Sequence, residues 1–170
     1  MRTIRSMATR VAVPLAAAAV VSMLASPAAT AATTAAGTPT SAGICYENPC
    51  ITGIRAATHP DHDRLVFDLT SSVRVSGTST NTTGEYTPMS GKTEYLDVPG
   101  TSYLFITMDP VYTATDLNLA TVLNLPTIKG VQLTNYHAAR GEFGISLGPS
   151  TRYNIFQLTQ PNRLVIDVYR

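Results

Sequence analysis

Arg64-Leu65-Val66-Phe67-Asp68-Leu69 alternates with a period of two, so Leu65, Phe67 and Leu69 share one face of a strand while Arg64, Val66 and Asp68 share the other. The same pattern returns a hundred residues later as Arg163-Leu164-Val165-Ile166-Asp167-Val168. Each copy therefore has one face fit for a core and one face that carries an Arg and an Asp four residues apart. Cross-strand ion pairs on a partly solvated face are the plain reading of those charges. A weaker echo links Thr52-Gly53-Ile54-Arg55 to Lys129-Gly130-Val131-Gln132, as expected of two similar halves.

Working outward, further strand candidates are Ile51 to Ala57, Val73 to Ser76, Thr93 to Val98, Tyr103 to Asp109, Ile128 to Tyr136, Glu142 to Leu147 and Tyr153 to Leu158. Turn chemistry separates them, as in His59-Pro60-Asp61, Pro99-Gly100 and Gln160-Pro161-Asn162. The pattern predicts an all-β chain, a small β-sandwich of about eight to ten short strands. Thr115 to Leu125 breaks the alternation and reads as a short helix or loop, with Asp116 able to cap a helical turn. Gly77 to Gly91 is rich in Ser, Thr, Asn and Gly, and reads as an exposed loop.

The N-terminus reads as a secretory signal peptide over residues 1–31. Arg2, Arg5 and Arg10 form a cationic start, Val11 to Leu24 is apolar but too short to span a bilayer comfortably, and Ala29-Thr30-Ala31 offers a cleavage pattern. Residues 32–44, nearly all small or polar, are expected to be a disordered tether, and 45–170 the folded domain. The expected product is secreted, extracellular or associated with the cell wall. In such a setting Cys45 and Cys50 are expected to form a disulfide around Tyr46-Glu47-Asn48-Pro49.

Three of the twelve basic residues lie in the leader and none of the eleven acidic ones does, so the mature chain carries nine against eleven, a net charge of −2. That balance argues against a nucleic-acid partner, and no other stretch is apolar for long enough to span a membrane. Positive signs of catalysis are missing. Asp61 and Asp63 sit on one turn, whereas a glycosidase needs carboxylates across a cleft. Ser146 and Ser150 lack a nucleophile-elbow setting, and no Gly-rich phosphate loop follows a strand. His59, Asp61, His62 and Asp63 all carry metal-ligating atoms, but their spacing on one turn fixes no ligand geometry, so neither a metal nor another cofactor is expected. His59, Asp61, Asp63, Arg64 and Arg163 are instead the candidates for ligand binding. The tyrosines add amphipathic rings suited to half-wet contact surfaces.

Ile51-Thr52-Gly53-Ile54-Arg55, His59, Asp63-Arg64-Leu65-Val66-Phe67-Asp68 and Pro161-Asn162-Arg163-Leu164-Val165-Ile166-Asp167-Val168 together resemble the AMIN-like domain of secreted actinobacterial proteins. The likeness covers about Ile51 to Val168. It implies a small β-sandwich similar to the AMIN domain, which serves cell-wall amidases as a non-catalytic targeting module. The expected partner is then a cell-wall glycan or peptidoglycan, or an envelope protein. A small secreted hydrolase or inhibitor is the alternative. Two departures from the family's pattern stand out: the long Ser/Thr-rich stretch after Val75, and Asn135-Tyr136-His137-Ala138-Ala139-Arg140 in place of a more acidic, Gly-containing segment.

Overall fold

Alternating Val, Ile, Leu and Phe, broken by turn residues, leave the chain one economical way to hide its apolar faces, which is to stack two sheets. A computed structural model describes residues 43–170 and the backbone of Ala35–Ala36. The expected leader and most of the expected tether lie outside the described residues. In chain order the strands are β1 (Ala35–Ala36), β2 (Cys50–Thr58), β3 (His62–Leu69), β4 (Val75–Asn81), β5 (Glu85–Tyr86), β6 (Glu94–Tyr95), β7 (Ser102–Met108), β8 (Tyr112–Thr113), β9 (Ala120–Val122), β10 (Ile128–His137), β11 (Arg140–Leu147), β12 (Tyr153–Leu158) and β13 (Arg163–Tyr169). The first sheet runs β1-β2-β3-β13-β12 with β8 beside β2, the second runs β4-β7-β11-β10-β9, and β5-β6 form a hairpin. No helix occurs among the described residues, and the chain is an all-β sandwich.

The two R-L-V-Φ-D segments (Φ apolar) are antiparallel neighbours, with Val66 opposite Val165. Their inward side chains Leu65, Phe67, Leu69, Leu164, Ile166 and Val168 all enter one core with Leu104, Ile106, Met108, Phe143, Ile145 and Leu147 of the second sheet. Phe67 meets Phe143 edge-on across the core at 5.0 Å between ring centroids, a favoured aromatic geometry. The Cys45–Cys50 disulfide is formed and sits at the start of β2.

Two expectations change. The Gly77–Gly91 stretch is not all loop, because Gly77 to Asn81 continue β4 in register with β7, and Glu85–Tyr86 form β5. Its polar composition suits an edge strand, where side chains meet water and the backbone still pairs on one side. Thr115 to Leu125 contains no helix. Ala120–Val122 pair with β10, while Leu117, Leu123 and Leu125 reach the core from irregular backbone.

The chain from Gly84 to Val98 forms a strap over the outer face of the second sheet. Leu96 packs with Tyr103 and Phe105, with Tyr86 beside them. The approach is close enough to require glycine below: a Cβ on Gly144 would stand 2.6 Å from Leu96, and one on Gly130 would stand 2.7 Å from Val98. The Asp97 N–H donates to Gln132 at 3.0 Å, and the Ser146 hydroxyl donates to the Val98 carbonyl.

Truncating Phe67 or Ile166 to Ala is expected to cost about 2–5 kcal/mol in denaturant unfolding, whereas Arg163→Ala should cost about 1 kcal/mol or less. The strap carries a pH signature. Burial first, then a 3.0 Å hydrogen bond to Glu94, pushes the Tyr86 phenol from 10.0 up to about 12. Folding thus favours its neutral form, so this stabilisation is intact below pH 10 and is lost as pH rises from 10 to about 12. Over that window the melting temperature of the native chain should fall more than that of Tyr86→Phe; parallel curves would remove Tyr86 from the account.

Candidate functional site

The register that buries the core also builds the outer face of the first sheet. Register partners in an antiparallel pair project to the same side, so Arg55, Val66, Val165 and Phe156 form one row across β2, β3, β13 and β12. Ala57, Arg64, Asp167 and Asn154 form the row above it, and Asp68, Arg163 and Leu158 lie in the row below. Because the repeated motif pairs antiparallel to its own copy, Arg stands opposite Asp at both ends.

The two ends are resolved differently. Arg64 grips Asp167 through both Nε and Nη2 at 2.7 Å, and its guanidinium also stands 5.6 Å from the centre of the Phe156 ring. This planar, bidentate geometry suits arginine and raises the Arg64 pKa above its ordinary value. At the other end Asp68 is taken by Arg55 of β2, again bidentate, at 2.8 and 3.0 Å. Arg163 is left with a 3.3 Å bond from Nε to the Pro161 carbonyl and forms no ion pair among the described residues. It is a half-buried cation beside an apolar row, about 13 Å along the sheet from Arg64.

Beyond Arg64 the face ends in the β2–β3 turn. His59 and His62 stack with ring centroids 4.6 Å apart, and Asp61 meets His62 Nδ1 at 2.7 Å, which holds the exposed Asp61 carboxyl below the usual carboxylate range. His62 Nε2 is buried 3.6 Å from Asp167 and has no hydrogen-bond partner among the described residues. Arg170 clamps the turn through the carbonyls of His59 and Pro60, and reaches Asp63 at 3.2 Å.

Asp63 itself turns inward and is fully buried. Its carboxylate accepts from the Thr58 hydroxyl at 2.9 Å, the Thr127 hydroxyl at 2.8 Å and the backbone N–H groups of Thr127 and Ile128. It thereby ties the first sheet to the start of β10 in the second, and its oxygens face protein donors rather than solvent. Of the sequence candidates, the fold brings His59, Asp61 and Arg64 to one end of the face, leaves Arg163 at the other, and places Asp63 underneath.

Sequence reasoning missed Arg55, Phe156 and His62 as members of this surface, and it placed Asp167 on the charged strand face without naming Arg64 as its partner. The repeat held the signal for Asp167, since two identical charge patterns paired antiparallel must match Arg to Asp. It also missed a groove of about 740 Å³ beside Phe156, where Val73, Val75, Ile155 and Leu164 form apolar walls near Arg74 and Gln157. Gln157 bridges the groove by bonding both the N–H and the carbonyl of Val73, at 3.0 and 2.6 Å.

Asp63→Ala strands buried donors from two sheets and is expected to cost about 3–5 kcal/mol by denaturant unfolding, with Asp61→Ala close to zero. Asp167→Ala should fall between, at about 1–3 kcal/mol, because Arg64 keeps access to water. An Asp63→Ala protein as stable as the native one would contradict the assigned role of this carboxylate.

The β-sandwich is the fold that the resemblance implied. No curated protein and no solved structure matches the chain. A family model, the AMIN-like domain, matches residues 49–170, from the end of the disulfide loop to the arginine that clamps the β2–β3 turn. The chain belongs to the AMIN-like domain family.

Proposed function

We propose that this chain is a non-catalytic, secreted module of the cell envelope that binds peptidoglycan or another cell-wall component through the outer face of its first sheet. Family membership supports the envelope role, because AMIN-like domains are modules associated with cell-wall amidases. The disulfide is consistent with an extracellular or envelope location. The signal peptide expected over residues 1–31 belongs to the same reading.

The observation that carries the choice of face is its construction. Arg55 and Arg64 are locked by bidentate carboxylates, which fixes their planes beside the Val66–Val165–Phe156 row. Val66 and Val165 are themselves buried beneath this layer, so the surface a polymer would meet is the guanidinium edges and the half-buried Phe156 ring, and its rigidity means that little side-chain freedom is lost on binding. Arg163, which has no carboxylate partner among the described residues, offers a hydrogen-bonding fork to acidic groups on the wall polymer. His59 and Asp61 extend the contact at the turn, and Asp63 positions that turn from below. His62 is poorly placed for proton transfer to a substrate, as one ring nitrogen is held by Asp61 and the other is buried.

A mature chain of net charge −2 gains no bulk attraction to an anionic wall, so the binding proposed is local and should survive moderate salt. The mature protein is expected to be retained on purified peptidoglycan above a charge-matched control, and Arg163→Ala should lower retention while the variant stays folded, with a stability loss of about 1 kcal/mol or less. No retention even at low salt would overturn the proposal.

A further inference from the structure

The outer face of the second sheet is only partly covered by the strap, and the uncovered end holds a small pocket of about 220 Å³. Thr107, Asn135, His137, Arg140 and Glu142 line it, and Met89 from the strap forms one wall. Register explains the convergence: Glu142 is opposite both Asn135 and Thr107, and His137 is opposite Arg140. Five polar side chains from three adjacent strands therefore reach one point. A bulge between Leu133 and Asn135 sets the register of this end of β10.

Hydrogen bonding within the fold leaves most of these groups unspent. Glu142 Oε1 accepts from the Thr134 hydroxyl at 3.0 Å, and the second carboxylate oxygen has no partner among the described residues. The Asn135 amide, the His137 imidazole and the Arg140 guanidinium likewise make no side-chain hydrogen bond or ion pair among them, although Arg140 and Glu142 share the same pocket.

The turn that carries His137 and Arg140 has a backbone the sequence does not favour. Ala138 and Ala139 both lie in the left-handed region, at φ 48° and 59°, in a two-residue hairpin turn where Asn-Gly is the ordinary choice. Backbone strain of this kind tends to persist where it places functional groups, and here it makes the imidazole and the guanidinium the closing pair of the hairpin.

The pocket is smaller than those that hold drug-sized ligands, which points to a small head group rather than a sugar chain. Its chemistry is also two-signed, with a guanidinium, an imidazole and an amide as donors and one carboxylate as acceptor. We propose that it binds the zwitterionic head of an amino acid, the α-carboxylate against Arg140 and Asn135 and the α-ammonium against the open oxygen of Glu142. The head group has two possible sources, a free amino acid or the zwitterionic end of a peptide side chain. The site lies on the opposite sheet from the face proposed for cell-wall binding and does not depend on that reading.

The test uses the protein as the cell produces it, isotope-labelled and followed by amide resonances, with alanine, 2,6-diaminopimelate, N-acetylalanine and alanine amide as probes. The two free amino acids should shift resonances of Thr107, Asn135 and residues 137–142 in a saturable manner, and each blocked probe should bind at least tenfold more weakly (about 1.4 kcal/mol). Glu142→Gln keeps the acceptor for Thr134 and removes the charge, so it should lower affinity for alanine about tenfold while leaving N-acetylalanine unchanged. Arg140→Gln should do the converse with alanine amide as the unchanged probe. Diaminopimelate binding tenfold tighter than alanine identifies the peptide source, and equal binding the free amino acid. Absence of saturable shifts, or equal binding of free and blocked probes, overturns the site whether or not the protein is retained on peptidoglycan.

Discussion

Antiparallel pairing of the repeated motif, Arg64 to Asp68 against Arg163 to Asp167, is the constraint from which the rest of the structure follows. One register satisfies both faces at once. Inward it delivers Leu65, Phe67, Leu164 and Ile166 to the core, and outward it opposes each arginine to an aspartate. A slip of one residue would send the apolar set to solvent and bring the charges into the sandwich, so the buried face and the ionic face enforce the same alignment. The ion pairs are only partly shielded from water, and their contribution lies more in specifying the register than in stability.

Two devices extend that pairing into a closed body. Asp63, one residue before the motif, collects donors from both sheets and so fixes the β2–β3 turn against the start of β10. On the far side, Gly130 and Gly144 open a floor on which Leu96 and Val98 lie, and the strap covers Tyr103 and Phe105. The consequence is an asymmetric molecule. One sheet presents a stiffened ionic and aromatic surface, and the other is roofed by the strap over its centre, with the β10–β11 hairpin end left open.

Much of this was legible in the sequence. Period-two alternation located both halves of the central pair and assigned every inward residue of the two motifs correctly. Polar edge strands were not legible, because Gly77 to Asn81 lack the apolar alternation that only a half-buried strand needs. The Leu-rich Thr115–Leu125 stretch left helix and loop both open in the sequence, and apart from the short β9 it is loop: Leu117, Leu123 and Leu125 reach the core one at a time from irregular backbone, and no local period records that. At the candidate face, the arginines and acids near the turn were visible as residue types. What the sequence cannot display is that Asp68 is captured from β2, which leaves Arg163 as the odd cation, or that Asp63 points inward while Asp61 points out. Those outcomes depend on contacts between distant strands.

The same motif has a bearing on how the chain reaches its fold. A segment that reads Arg-apolar-Val-apolar-Asp is complementary to itself when reversed, so β3 matches β13, but it matches a second β3 equally well. The native partner lies about a hundred residues downstream, and loop closure over that distance is slow compared with local events. Until Arg163 to Asp167 is in place, β3 can pair with β2 along one edge while its other edge stays open, and the same strand of a neighbouring chain matches that open edge. Crowded chains therefore compete with the native pairing at the step that sets the whole architecture. The symmetry that makes the finished sheet unambiguous makes its assembly sensitive to concentration.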